Sequence, residues 1–368
     1  MTWNWQQSDW PDFRWNNAKL KPLESLFLKQ SGIQIGSTKH FDESEFRYLV
    51  IDLITSEAMK TSEIEGEYLD RKSVQSSIRH NFGLEINNRR VSLAEHGIAA
   101  LMTDLYQNFS EPLTHDILYE WHSMLTNGRN DLQDVGAYRT HKDTMQVVSG
   151  RVDKPTIHFE APPSAAVFNE MQKYISWWHR TTPRASDELP PLIRAGIAHL
   201  YFVCIHPFED GNGRIGRALV EKALSEELGK PTLIALSQII ERDKKLYYKK
   251  LEENNKHNEI TDWLIYFSNT ILKAQEYSLK LIDFLIQKTK LFDQLRNKLN
   301  HRQTKVLERM FREGIDGFKG GLSAENYISI TGASRATVTR DLTDLLAKGA
   351  LLKTGQLKST RYYLNIRV

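Results

Sequence analysis

The chain has 368 residues, enough for two or three domains; 40% are apolar and 26% charged, which fits packed cores and excludes a disordered or collagen-like chain. Net charge is +3, but twelve Lys and Arg against six Asp and Glu lie in residues 301–368, so that segment carries +6 and the remainder −3. The single cysteine, Cys204, excludes an internal disulfide and reads as a buried thiol; the N-terminus lacks a basic and apolar leader, and no run reaches the ~18 apolar residues of a membrane helix, so a cytoplasmic, membrane-free protein is expected.

The first elements are an aromatic stretch, Trp3, Trp5, Trp10, Phe13 and Trp15, expected to pack on the helices next to it in the chain. Helices are predicted over Leu20–Lys29 and Phe46–Glu65; in the second, Leu49, Leu53, Ile54 and Ala58 share a face and Gly66 is a stop. Two β-rich runs, Met145–Val148 and Thr156–Phe159, flank Ser149-Gly150 and Asp153-Lys154-Pro155 and predict a hairpin. Trp177, Trp178 and Trp263 are expected in a helical core.

The chemistry concentrates in His206-Pro-Phe-Glu-Asp-Gly-Asn-Gly-Arg-Ile-Gly-Arg217. Helical spacing over Pro191–Ile205 should end at or near His206, because Pro207 cannot continue the helix. A second helix, with Ile215, Leu219, Ala223 and Leu224 on its apolar face, runs to a stop at Gly229-Lys230-Pro231. The loop between them, Gly211-Asn212-Gly213, thus lies at a helix N-terminus, where free backbone N–H groups and the helix dipole favour an anion. Arg214 and Arg217 are three apart on one face and can each fork a phosphate. Asp210 suits Mg²⁺, which takes few carboxylates alongside phosphate oxygens. His206 is the group that can accept a proton near neutral pH. A base with no nucleophile of its own implies that the nucleophile arrives on another molecule.

This segment resembles the motif of the Fic family, HxFx(D/E)GNGRxxR, at every defined position. The resemblance implies a mainly α fold, a Fic-type helical bundle with a short β-hairpin flap, and transfer of AMP from ATP to a Ser, Thr or Tyr hydroxyl of a target protein or of the chain itself. It implies His206 as base, Asp210 as the Mg²⁺ ligand, Gly211, Asn212 and Gly213 as anion hole, Arg214 and Arg217 on phosphate, with Arg217 on the γ-phosphate, and Phe208 as packing. Gly136–Arg139 and His158–Pro163 resemble the segments around the family's flap, so residues 145–159 are expected to dock the target by strand addition. Glu241–Tyr248 resembles the base-pocket region, with Tyr247 and Tyr248 as candidates of which at most one contacts the base and packing explains the other. Thr61-Ser-Glu-Ile-Glu-Gly66 resembles the inhibitory motif (S/T)xxxE(G/N): Glu65, braced by Thr61, would pair with Arg217 and block the γ-phosphate. The aromatic N-terminal stretch resembles a region that precedes the Fic domain in a set of bacterial proteins. Alternatives consistent with the motif are removal of AMP, another nucleotide donor, or a nucleotide-sensing DNA-binding regulator. Dimerisation is common in the family.

The tail, 300–368, looks like a winged helix-turn-helix: helices over Gln303–Phe311, Ser323–Ile330 and Ser334–Lys348, a stop at Gly349, then Leu351-Leu-Lys and Arg361-Tyr-Tyr-Leu as strands around Gly355. Ser334 would cap a helix bearing Arg335, Thr337, Thr339 and Arg340, with Lys353, Lys358 and Arg361 in the wing, a chemistry suited to DNA and a shape also used to dock protein. The expected divisions are 1–90 for the aromatic region and inhibitory helix, 91–275 for the catalytic core, 276–299 for a helical linker (within a long helix Trp263–Leu299) and 300–368 for the tail.

Overall fold

A computed structural model describes residues 2–38, 41–84, 91–151, 154–315, 317–318 and 320–366. The chain divides into two compact units, Met1–Glu276 and Tyr277–Val368. The first unit is helical: α1 (Asn17–Thr38), α2 (Glu43–Ile64), α3 (Arg71–Asn81), α4 (Leu93–Gln107), α5 (His115–Leu125), then the antiparallel strands β1 (Gln146–Arg151) and β2 (Lys154–Glu160), then α6 (Ser164–Arg180), α7 (Pro191–Ile205), α8 (Asn212–Leu228), α9 (Leu236–Arg242), α10 (Lys244–Asn254) and the first part of α11 (Thr261–Gln294).

The unit is organised around α7. All but one of its fifteen residues are buried, as a helix apolar on every side demands. Its N-terminus has no capping side chain of its own; instead Glu24 of α1 accepts from the backbone N–H of Leu192 and Ile193, at 3.1 and 3.0 Å. Two polar side chains of α7 find partners inside the core. Arg194 reaches Glu226 at 2.7 Å and lies over Trp178, while His199 meets the hydroxyl of Tyr247 at 2.7 Å and stacks on Phe267. Trp178 and Trp263 are fully buried and Trp177 is half-buried against the same core; Cys204 is buried, and burial pushes its thiol up to about 12. Trp3, Trp5, Trp10, Phe13 and Trp15 pack on this core as expected.

Several bounds differ from the sequence expectation. α1 runs to Thr38 instead of Lys29, because Phe27, Ser31 and Gln34 all find buried partners that outweigh two glycines. α11 stops at Gln294 instead of Leu299, before Asn297 turns left-handed. The hairpin strands are longer than expected: Ser149-Gly150 and Pro155 belong to β1 and β2, where a two-stranded ribbon has open edges that tolerate proline. Asp153 lies outside the described residues.

The second unit contains the rest of α11, α12 (His301–Arg312), α13 (Ala324–Thr331), α14 (Arg335–Ala347), β3 (Leu351–Thr354) and β4 (Arg361–Leu364), with Leu322 bridging to Tyr362. Its core holds Val306, Leu307, Tyr327, Val338, Leu342 and Leu345 around a polar centre at Asp341, which accepts from Arg302, Asn300 and Tyr327. Among the described residues no helix is long and apolar enough to cross a membrane.

Where α2, α8 and α9 meet, two carboxylates are buried. Glu57 Oε1 accepts from Ser237 N–H at 2.8 Å, its Oε2 has no partner among the described residues, and Glu221 accepts from Leu233 N–H and Thr232. Burial pushes both up to about 7 from an ordinary 4.5, and the charge of Glu57 raises Glu221 further. A carboxyl raised on folding stabilises the protonated state, so its contribution is complete below pH 4.5 and is lost as pH rises through about 7. Thermal melts of Glu57→Gln should therefore show a Tm ~2–4 °C above wild type at pH 8 and no gain at pH 5.

Candidate active site

The loop between α7 and α8 is fixed by its own backbone and by one arginine. His206 caps α7 in the left-handed conformation, φ 52° and ψ 58°, which a non-glycine residue holds only under outside constraint. Buried Arg139 supplies that constraint: its Nε donates to His206 O at 2.8 Å, its Nη2 to Pro162 O at 2.5 Å and Ile205 O at 3.4 Å, and its backbone N–H to Pro207 O at 3.0 Å. It thus meets carbonyls that α7 leaves open at its C-terminus. Phe208 is fully buried and stacks on His122 at 4.2 Å. The Asn212 side chain braces the loop from within, accepting from Phe208 N–H at 3.0 Å and donating to Phe208 O at 2.8 Å.

These constraints set His206 half-buried at the edge of a cavity of about 690 Å³, also lined by Asp210, Gly211, Asn212, Gly213, Glu65 and Tyr248. Nδ1 of His206 lies 3.2 Å from Val203 O. A carbonyl only accepts, so Nδ1 carries the hydrogen and Nε2 keeps its lone pair. Burial pushes the imidazole down to about 4, which leaves the ring neutral at neutral pH, with the Nε2 lone pair available.

Both arginines of α8 are buried and both face acids from the end of α2. Arg217 donates Nε to Thr61 Oγ1 at 2.8 Å and Nη2 to Thr61 O at 2.9 Å and Glu65 Oε1 at 2.7 Å. Arg214 pairs with Glu67 at 2.8 Å and more distantly with Asp210 at 3.4 Å. Glu67 was not singled out from the sequence. Gly66 brings it back: at φ 86° it ends α2 so that the N–H groups of Glu65 and Glu67 both reach Ser62 O. Glu65 is itself burdened by burial, but Arg217, then Arg214 and Tyr248, hold its carboxyl below the ordinary value. Its Oε1 lies so close to the first turn of α8 that a Cβ on Gly213 would come within 2.2 Å of it. A carboxylate therefore occupies the position that a helix N-terminus offers to an anion.

The donors left over describe what could replace it. Arg217 Nη1 and Arg214 Nε are buried and without a partner among the described residues. Two orphaned guanidinium donors beside a helix N-terminus suit the oxygens of a polyphosphate. Asp210 and Glu209 of this loop both line the cavity, with Glu209 held by the Gln133 N–H at 2.8 Å; burial raises the Asp210 carboxyl, but Arg214, the Gly211 N–H and Arg129 together lower it below its ordinary value. Arg129, which no motif marked, reaches Asp210 Oδ2 at 2.7 Å while also forking Asp131. Among the described residues no group of three or more His, Cys, Asp or Glu could cage a metal. A donor set of one carboxylate fits Mg²⁺ only in company with phosphate oxygens, which is how that ion is commonly held. The two tyrosines separate: Tyr247 is in the core on His199, whereas Tyr248 is over a third exposed and donates to Glu65 Oε2 at 3.2 Å.

Residues 112–224 match the model of the Fic/DOC family, and residues 3–84 match that of a domain of unknown function, DUF4172. Among curated proteins the chain is similar to the protein adenylyltransferase Fic of Nematostella vectensis, 28% identical over 155 residues, which are 42% of this chain and 31% of that protein. It is similar to protein adenylyltransferase fic-1 of Caenorhabditis briggsae, 30% identical over 24% of this chain and 16% of that protein. A probable protein adenylyltransferase of Aquifex aeolicus is 30% identical over 26% of each. The chain spans less than a third of the length of these relatives. Among solved structures, a Fic family protein of Desulfovibrio desulfuricans aligns with a TM-score of 0.52 at 20% identity, over 93% of this chain and 96% of that one. A Fic domain containing signaling protein of Bacteroides thetaiotaomicron gives 0.52 at 20% identity, over 71% and 96%. At these identities the likeness is one of fold.

If Glu67 competes with an anion for Arg214, its removal should tighten anion binding. Calorimetry with inorganic tripolyphosphate should show Glu67→Gln binding roughly three- to tenfold more tightly than wild type, the equivalent of about 1 kcal/mol for a partly exposed ion pair. Unchanged affinity would exclude the competition.

Proposed function

We propose, for a chain of the Fic family whose domain covers residues 112–224, that it is a protein adenylyltransferase that moves AMP from ATP to a hydroxyl of a protein and is held in check by its own α2. The observation that carries this reading is a neutral imidazole with Nε2 free, lining one cavity with the N-terminus of α8 and an acid that stands in for an anion.

The incoming hydroxyl gives its proton to His206 Nε2, and its oxygen attacks the α-phosphorus. The new O–P bond forms as the bridge from the α- to the β-phosphate breaks, and pyrophosphate leaves. The first turn of α8, with Arg214 and Arg217, neutralises charge on the phosphates and fixes their line of attack. Asp210, released from Arg129, would hold Mg²⁺, which supplies further neutralisation of the phosphates. Tyr248, not Tyr247, is the ring disposed to contact the base, since Tyr247 is committed to His199. Strands β1 and β2 border the cavity and would pair with an extended segment of the target.

Check by α2 is charge competition. While Glu65 holds Arg217, the γ-phosphate lacks its partner and the α-phosphate is presented wrongly. For the second unit we keep the reading of a winged helix-turn-helix that directs the enzyme to DNA or protein. Its support is Ser334 capping α14, with Arg335, Thr339 and Arg340 exposed there and Lys353 and Lys358 exposed near the hairpin.

Two variants test the enzyme reading with labelled ATP. Glu65→Gly should raise AMP transfer at least tenfold over wild type. Adding His206→Ala to it should cost about 10²–10⁴-fold in rate while ATP binding, read by calorimetry, persists. Transfer near the parent rate would reject His206 as base, and no rise in Glu65→Gly would reject the brake.

A further inference from the structure

The cavity holds a second hydroxyl system, separate from the one that His206 serves. Ser149 lies on β1 opposite Thr156 of β2, and His158, two residues further along β2, projects to the same face. The register slips between Val147 and Val148, so His158 has no partner across the ladder and is free to lean toward Ser149. Its Nε2 lies 2.6 Å from Ser149 Oγ. Its Nδ1 lies 2.8 Å from Glu252 Oε2 of α10, and Asn255 donates to its backbone carbonyl at 3.2 Å. An ionised carboxylate only accepts, so the hydrogen sits on Nδ1 and Nε2 accepts from the serine. Serine, imidazole and carboxylate are thus joined in the order that activates a hydroxyl. All three line the same cavity as His206, Asp210 and Gly213.

We propose that Ser149, activated by His158 and Glu252, is an acceptor within this chain for the nucleotidyl group bound in the cavity. The proposal rests on the adenylyltransferase reading and names one of its substrates. A mere tie between β2 and α10 would need only the contacts from His158 to Glu252 and Asn255; the serine at hydrogen-bond distance on the free nitrogen is what a tie leaves unexplained. In the step, Ser149 Oγ bonds to the α-phosphorus of ATP, the bridge to the β-phosphate breaks, and pyrophosphate departs. The hydroxyl proton passes to His158 Nε2, and Glu252 stabilises the imidazolium so formed. Nothing is oxidised or reduced. The product carries AMP on the hairpin at the mouth of its own cavity.

Two measurements on the full chain decide it. The Glu65→Gly protein is incubated with Mg²⁺ and ATP, digested with trypsin, and the peptide Asp143–Arg151 is fragmented. AMP is expected on Ser149, absent in the Ser149→Ala variant and reduced at least tenfold in His158→Gln. AMP found only on other residues, or a Ser149 yield that His158→Gln leaves unchanged, overturns the proposal. Separately, wild type is treated with a fluorophosphonate, which reports an activated serine without any nucleotide. Labelling of Ser149 is expected to fall at least tenfold in His158→Gln and in Glu252→Gln; absence of labelling overturns the activation. If Glu65→Gly transfers AMP to no residue and to no added protein, the adenylyltransferase reading fails and the acceptor role with it, while the fluorophosphonate result still decides whether the serine is activated.

Discussion

A guanidinium sealed inside a protein needs an anion, and Arg217 organises this molecule around that need. It is 3% exposed, and two of its nitrogens are satisfied by Thr61 and Glu65 of α2. Leaving such a charge unpaired costs several kcal/mol, far more than an exposed ion pair is worth. The contact therefore serves two purposes at once. It fastens α2 to α8, and it sets a carboxylate at the N-terminus of α8, where the proposed function would place a phosphate. If a nucleotide phosphate binds there, as proposed, it competes with the carboxylate for the same donors, and nucleotide occupancy and the position of α2 become one equilibrium, shifted only by the difference between the two interactions.

The same need to satisfy buried polar groups governs the loop that holds His206. The helix α7 is too deeply buried to end in water, so its last carbonyls must be met by protein. Arg139 meets them, and in doing so holds His206 in a left-handed turn that aims its ring at the cavity. Phe208 and Asn212 then lock the residues after it, one by stacking on His122 and one by closing a ring of hydrogen bonds onto Phe208. The strain at His206 is sustained by a core distant from the chemistry, including Glu24 at the other end of α7.

The loop and its two helices were legible in the sequence because their chemistry is local: a proline that stops one helix, glycines that begin another, and two arginines a turn apart. The pairing of Glu65 with Arg217 was legible because the spacing of Glu65 from Thr61 fits a motif that the resemblance reads as inhibitory, and the structure brings Thr61 and Glu65 together on Arg217. What escaped was whatever depends on distant segments meeting. Glu67 reaches Arg214 across 147 residues, and Arg129 reaches Asp210 across 81. Neither sits in a pattern, and an isolated acid or base on a loop reads as solvated. The relay on the hairpin escaped for a different reason. Its acid, Glu252, comes from α10, 94 residues beyond His158, and the register that sets Ser149 near His158 is not written in the composition of the two strands. Helix lengths erred where tertiary contacts overrode composition, as in α1, whose glycines argue for an earlier end than Phe27, Ser31 and Gln34 permit.

If α2 acts as the proposed brake, the two acids at its end bear on how it lets go. Glu65 and Glu67 flank Gly66 and hang from one shared carbonyl, that of Ser62, so the turn carries them as a single piece. Each holds a different arginine, Glu65 the more buried Arg217 and Glu67 the neighbouring Arg214. A phosphate chain that displaces one acid therefore loosens the turn that positions the other, and the second displacement costs less than the first. On the proposed function, release in this geometry would be cooperative along the length of a polyphosphate, and a monophosphate, which can reach only one of the two guanidinium groups, would leave the turn in place.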